Sequence, residues 1–218
     1  AAAFGSNLAT GTAAANALPL PTSLLGTTVI LKDFTGVEHL APLFFVSPQQ
    51  INYLVPKEVA SGLITVTVTN ANGEFTKGTG QIALTAPGVF TANSDGSGVV
   101  AGAILRYKAD GSQSYEPLAN FENPPGRYVP REIDLGPESD QVFLILFCTG
   151  IRKSMLPPII GFNVSDNSTI VYSGPQGDFE GLDQVNVKLS RQLVGTGERI
   201  LYLTVDGVRS NLVRVKFK

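Results

Sequence analysis

A single histidine, His39, and a single cysteine, Cys148, limit the nucleophilic chemistry open to this chain. A Ser-His-Asp or Cys-His constellation would need His39, and no G-x-S-x-G elbow accompanies it. Beside Leu40 on a strand-like segment, His39 reads as an ordinary polar surface residue. One His and one Cys also fall short of the ligand set of a structural zinc site. Asn93-Ser94-Asp95-Gly96 offers oxygen ligands of the calcium-loop kind but lacks the alternating acids and terminal glutamate, so it reads as a turn. Glu132 and Asp134 are the acid types that glycoside hydrolysis uses, yet proximity along a loop says nothing about carboxylate separation. They read as solvated loop charge. No phosphate-binding glycine pattern follows a strand and opens a helix. The residues predict no catalytic site, no metal and no cofactor.

The side chains with the most informative spacing are amides. Gln50 and Gln184 stand 134 positions apart, and so do Asn52 and Asn186. Around them, Ala41 to Pro56 (APLFFVSPQQINYLVP) and Val171 to Ser190 (VYSGPQGDFEGLDQVNVKLS) share an order of features. A short apolar strand leads to a Ser-(Gly)-Pro-Gln turn, and Gln-Ile/Val-Asn opens a second strand. A repeat at this spacing implies two copies of one supersecondary unit. Amides at strand starts can satisfy backbone groups of a neighbouring loop, so a structural role is expected for Gln50, Asn52, Gln184 and Asn186. A ligand-binding amide pair is the competing reading, and it would need exposed side chains.

The elements that must position these residues are strands. Thr27 to Lys32 reads as one. Leu63 to Thr69 alternates Ile64, Val66 and Val68 against Thr65, Thr67 and Thr69, the period of a half-buried strand. Asn72-Gly73 supplies a tight turn, with Gln81 to Thr85 as the returning partner. Val142 to Phe147 is apolar on both faces, as expected of a central strand packed on both sides. Gln184 to Leu189 and Arg199 to Val205 follow, with a turn at Asp206-Gly207. In Leu212 to Lys218, Val213, Val215 and Phe217 face in, while the outward charges suit a last strand at a sheet edge. Glu116 to Asp140, with five prolines, reads as a long surface loop. No window sustains a helical period. Short strands punctuated by Gly and Pro indicate an all-β chain of antiparallel β-sandwiches.

With 218 residues, 43% of them hydrophobic and 16% charged, the chain can build two domain cores and is too apolar for disorder. The expected division is a first sandwich over residues 1–91, a linker over 92–98 and a second sandwich over 99–218. The two sandwiches are expected in close contact. A net charge of −2 gives no footprint for nucleic acid. The longest apolar run, Val142 to Cys148, is too short for a membrane-spanning helix. Cys148 has no partner for a disulfide and is expected buried and reduced. The small residues Ala1-Ala2-Ala3 resemble the end left by signal cleavage, which points to an exported protein.

Several words together resemble a family of bacterial domains known as the Solibacter-type C-terminal domain. They are FGSNLA at 4–9, LPLPTSL at 18–24, APLFFVSPQQINYLVP at 41–56, ITVTVTN at 64–70 and APGVF at 86–90, then CTGIR at 148–152, GLDQVNV at 181–187 and SNLVRV at 210–215. The set spans nearly the whole chain. Cys148 departs from it, standing where the family pattern has Gly, and Val164 to Asn167 replace a Gly-Gly hairpin. The resemblance implies tandem immunoglobulin-like sandwiches on a cell surface or outside the cell, and it implies no activity.

The expected function is that of a non-enzymatic extracellular structural or adhesive protein that associates with itself. The alternative is a carbohydrate- or protein-binding accessory module. A glycan platform of exposed aromatics is not evident in a chain with no Trp and with Phe at inward-looking positions. Seven residues precede Cys148-Thr149-Gly150 in its strand, but only Ala1 to Phe4 precede the equivalent Gly5-Ser6-Asn7. The first sandwich is therefore expected to lack most of one strand, which either a neighbour donates to build a filament or residues upstream of Ala1 in a longer parent chain supply. Ala1, Ala2, Ala3, Phe4 and Leu8 are the expected inter-subunit contacts. The donated segment is expected to be Ala1 to Leu20 or Leu212 to Lys218.

Overall fold

The computed structural model describes residues 1–218, an all-β chain with no α-helix and a single 3-10 turn at Arg191–Leu193. It divides into two units, Ala1–Ala83 and Leu84–Lys218. The boundary thus falls ahead of 92–98, the segment expected as the linker. That segment is a loop of the second unit, where Asp95 accepts from Thr91 Oγ1 and Asn211 Nδ2 donates to Gly96 O.

In the first unit the strands are β1 (Ala2–Phe4), β2 (Ala13–Ala14), β3 (Thr28–Asp33), β4 (Glu38–Leu40), β5 (Leu43–Val46), β6 (Gln50–Tyr53), β7 (Gly62–Thr69) and β8 (Phe75–Ile82). One sheet runs β1-β6-β5-β2 and the other β4-β3-β7-β8. Their inner faces meet in a core of Val29, Leu31, Leu43, Val46, Ile51, Tyr53, Ile64 and Val68. The alternation read over 63–69 is met: Ile64 and Val68 are buried, although Val66 is only partly so. Gly73, at φ 79°, makes the expected turn, but the returning strand is β8 rather than 81–85.

The second unit contains β9 (Gly88–Val89), β10 (Gly102–Tyr107), β11 (Gln113–Pro117), β12 (Ala119–Glu122), β13 (Arg127–Pro130), β14 (Glu132–Ile133) and β15 (Gln141–Thr149). These are followed by β16 (Ile159–Phe162), β17 (Thr169–Pro175), β18 (Asp183–Lys188), β19 (Gly197–Val205), β20 (Val208–Arg209) and β21 (Val213–Phe217). One sheet runs β11-β10-β15-β18-β17, with β9 also on β15; the other runs β14-β21-β19-β16, with β20 on β19. β15 is the central strand that its apolar run predicted. Val142, Leu144, Leu146 and Cys148 alternate into the core, and Phe143, Ile145 and Phe147 occupy the opposite face.

Two expectations for this unit are corrected. Glu116 to Asp140 is not an irregular loop. It holds the β12–β13 hairpin, closed by Phe121 against Tyr128 at 5.4 Å, and then β14, whose Ile133 is buried. Arg106 organises this stretch from β10, donating to Glu116 at 2.7 Å, to Asp140 at 3.3 Å and to the carbonyl of Asp134. Such short strands carry too little periodicity to be seen locally, and a buried guanidinium needs several partners that only the fold collects. β21, in turn, is not an edge strand. β14 pairs with it in parallel, and its outward lysines pair with acids, Lys216 with Glu132 and Lys218 with Asp134, both at 2.9 Å.

The internal repeat is visible in strand register. Phe4 and Ala2 face Gln50 and Asn52, as Phe147 and Ile145 face Gln184 and Asn186. Even an irregularity repeats: the β5–β6 ladder slips between Leu43 and Phe45, and the β17–β18 ladder between Ile170 and Tyr172. Such bulges turn the strand locally and are treated as designed features. Cys148 lies opposite Asp183 and is fully buried, as expected. Desolvation, reinforced by the Asp183 carboxylate, pushes its thiol up to about 12. The reactive thiolate is therefore almost absent at neutral pH. Iodoacetamide should leave Cys148 unmodified in the native protein at pH 7.5 and label it fully in guanidinium. Rapid native labelling would contradict the placement.

Candidate functional site

His39, expected on the surface, is instead part of a side-chain cluster in the first unit. β3 ends on Asp33 and the hairpin to β4 brings His39 back, so that its Nε2 lies 3.1 Å from Asp33 Oδ2. Asp33 is buried and also accepts from Thr35 Oγ1 at 2.5 Å and from the amides of Thr35, Val37 and Ala60. The Thr35 hydroxyl above all, then His39 and the backbone amides, hold the carboxyl well below its usual range against the opposing cost of burial. An Asp–His pair with no hydroxyl or thiol on the other ring nitrogen lacks a nucleophile. It locks the β3–β4 turn to the segment before β7.

The other sequence candidates resolve in the same way. Asp95 closes its own turn, accepting from Thr91 Oγ1 at 2.9 Å and from the Ser97 amide at 3.0 Å. Glu132 and Asp134 are held by Lys216 and Lys218, and those hydrogen bonds lower both carboxyls below their ordinary values. Asp183 takes the amide of Ile151 and the guanidinium of Arg152, a buried carboxylate satisfied by one backbone and one cationic donor.

The four amides form two identical pairs. Gln50 Nε2 donates to Asn52 Oδ1 and Gln184 Nε2 to Asn186 Oδ1, each at 2.8 Å. The expectation that they serve the backbone of a neighbouring loop is corrected. Each pair bonds within itself on the outer face of its sheet, partly exposed, because residues i and i+2 of a strand share a face. Backbone turns are instead satisfied by Ser47 Oγ, which accepts from the amide of Gln50 at 3.0 Å.

The largest difference between the repeats lies along one side of the first unit. β15 has nine residues and is flanked by β10 and β18; its counterpart β1 has three and is paired only with β6. By register, Ala1 and Ala3 stand where the second unit buries Leu144 and Leu146. β8 ends the other sheet, where β21 is covered by β14. Its inward positions, opposite Val68, Val66 and Ile64, are Thr76, Gly78 and Gly80, in place of the Val213, Val215 and Phe217 of β21. Most of β8 is exposed on both faces. Ile104 of β10 and Ile133 of β14 plug this side in the second unit. The first unit has small side chains and two unpaired strand edges there. This open side is the candidate functional site, since unpaired strand edges are where another chain can pair.

The expected contact residues sit at its rim. Ala1, Ala2, Ala3 and Phe4 are not extended away from the unit: β1 pairs with β6, and the Ala1 amino group donates to Tyr53 O at 2.8 Å. Leu8 is buried in the unit's own core and Phe4 is 74% exposed. Of the two segments expected as donors, the first is held by β6 and β5 and the second is β21, buried between β14 and β19. Both are occupied within their own units. The β8 edge was missed from the sequence, although the glycines of FTKGTGQI on one parity were its signal.

Because the carboxyl of Asp33 is depressed on folding, its contribution is complete above the ordinary carboxylate range and is lost as the pH falls through and below it. Asp33→Asn should lower the thermal midpoint at pH 7 and flatten the acid limb of the first unit's stability profile. An unchanged acid limb would show that another carboxylate governs it.

No protein-family model matches the chain, and no curated protein matches it.

Proposed function

We propose that this chain is a non-enzymatic, extracellular structural protein whose copies associate through the open side of the first unit, an edge strand of one copy pairing there with the next. The observation that carries the reading is the contrast between repeats: the side closed by β10 and β14 in the second unit is left to alanines, glycines and two free edges in the first. Unpaired backbone groups along an exposed edge template pairing with another chain. Each large aliphatic side chain that a donor buried there would contribute about 1.5–3 kcal/mol. Ile104 and Ile133 show the kind of inward residue the site would take. A contact in which one end of a molecule receives a strand from another is heterologous, and if it does not close it builds a filament.

The resemblance of the FGSNLA, SPQQINYLVP and GLDQVNV words to exported bacterial proteins supports a location outside the cell. The self-sufficient turn built on Asp33 and His39 supports a non-catalytic reading.

Gly78 provides a test that leaves the fold alone. A Cβ at this position would meet nothing within 4 Å, and its backbone is not in the left-handed region. Gly78→Lys should therefore fold normally while placing a charge in the acceptor groove. The unaltered chain should sediment as assemblies larger than the 23.0 kDa protomer, with fibres by electron microscopy, and the variant should sediment as a protomer. A monomeric unaltered chain, or assemblies that survive Gly78→Lys, would overturn the proposal.

A further inference from the structure

The outer face of the sheet β11-β10-β15-β18-β17 carries a second feature, unrelated to the open side of the first unit. Strand parity puts Leu105 and Tyr107 of β10, Phe143 of β15 and Asn186 of β18 on that face, away from the core. Together with Gln141 and Val171 they line a recess of about 390 Å³, within the range of small-ligand sites. The rings of Tyr107 and Phe143 meet edge to face at 5.7 Å and 79°, so one ring presents its face where the other presents its edge. Tyr115, opposite Leu105 on β11, adds a ring that is 69% exposed.

The polar groups are placed with comparable economy. The bond from Gln184 Nε2 consumes Asn186 Oδ1 and fixes that side chain, leaving its Nδ2 donor without a partner in the protein. Gln141 opens the strand beside it with an exposed amide. None of the six lining residues is charged. Lys188 lies across from Phe143 outside the lining, while Arg106 is on the other side and is taken by Glu116 and Asp140.

We propose that this recess binds a neutral oligosaccharide of pyranose units. A pyranose ring has an apolar C–H face and an equator of hydroxyls. The first suits the ring face that the Tyr107–Phe143 pair presents, and the second suits amides that both donate and accept. A charged ligand would find no counter-ion among the six residues that line the recess. A purely apolar one would strand the Asn186 donor, a cost that polar recognition removes. This reading corrects the expectation of inward-looking phenylalanines, since Phe143 and Phe147 are on the outer face.

The test is calorimetric titration of the intact chain with cello-, xylo-, manno- and chito-hexaose. At least one should bind with a dissociation constant of about 1 mM or tighter, and Tyr107→Ala and Asn186→Ala should each weaken it about tenfold. Tyr107 is partly exposed, so its truncation leaves the core intact. Phe121→Ala, on the β12–β13 hairpin, should leave affinity unchanged. Absence of binding by all four sugars, or binding unaltered by both variants, would overturn the inference. So would binding confined to hexagalacturonate, titrated alongside them, and abolished by Lys188→Ala.

Discussion

Burial of one face of β15 is the interaction on which the second unit depends. Val142, Leu144, Leu146 and Cys148 are inserted between the two sheets, and β10 and β18 satisfy the strand's backbone on both sides. An interior this dense tolerates no unfilled position, so the strands around β15 carry complementary bulk: Ile104, Val185, Val187, Leu201, Leu203 and Phe217. The charged connections follow from the same demand. Arg106 and Asp183 are buried because the strands that carry them are buried, and each is matched by partners drawn from distant segments.

The first unit repeats this architecture under a different constraint. The ladder register, the bulge between positions 43 and 45 and the Gln–Asn pair have counterparts in the second unit. These details agree between the units although they do not contribute to a core. The departures are concentrated where Ala1 and Ala3 replace leucines and where Thr76, Gly78 and Gly80 replace Val and Phe. Small residues there remove the apolar incentive to cover the side from within the unit, and they leave room for bulk from elsewhere. The same sandwich thus presents a closed, filled flank in one unit and an unfilled one in the other.

Outer faces differ as well. In the second unit, Tyr107, Phe143 and Tyr115 lie on the outer face of the sheet rather than in the core. The Tyr107–Phe143 pair and the half-satisfied amide of Asn186 give this face both hydrophobic area and direction. It lies on a continuous sheet rather than on loops, so its geometry is held by the ladders on each side.

Much was legible in the sequence because period-2 alternation and turn chemistry are local. The all-β sandwich class, the central strand through Val142 to Phe147 and the buried Cys148 follow from residues within a few positions of one another, and the likeness of the segments around Gln50 and Gln184 from matching words 134 positions apart. Hydrophobic burial acts on every second side chain of a strand, and the pattern survives without knowledge of the partner. What the tertiary structure alone decided is which partner each edge receives. Sequence could not show that β14 pairs in parallel with β21, that Arg106 gathers Glu116 and Asp140, or that Asp33 and His39 meet across a turn. Nor could it show that the amides bond to one another, since a side-chain amide accepts many partners and only register selects one. The open flank belongs to both levels: the small residues Thr76, Gly78 and Gly80 are written in the chain, but the pairing of β1 with β6, and the exposure of β8 beside it, exist only once the sheets have formed.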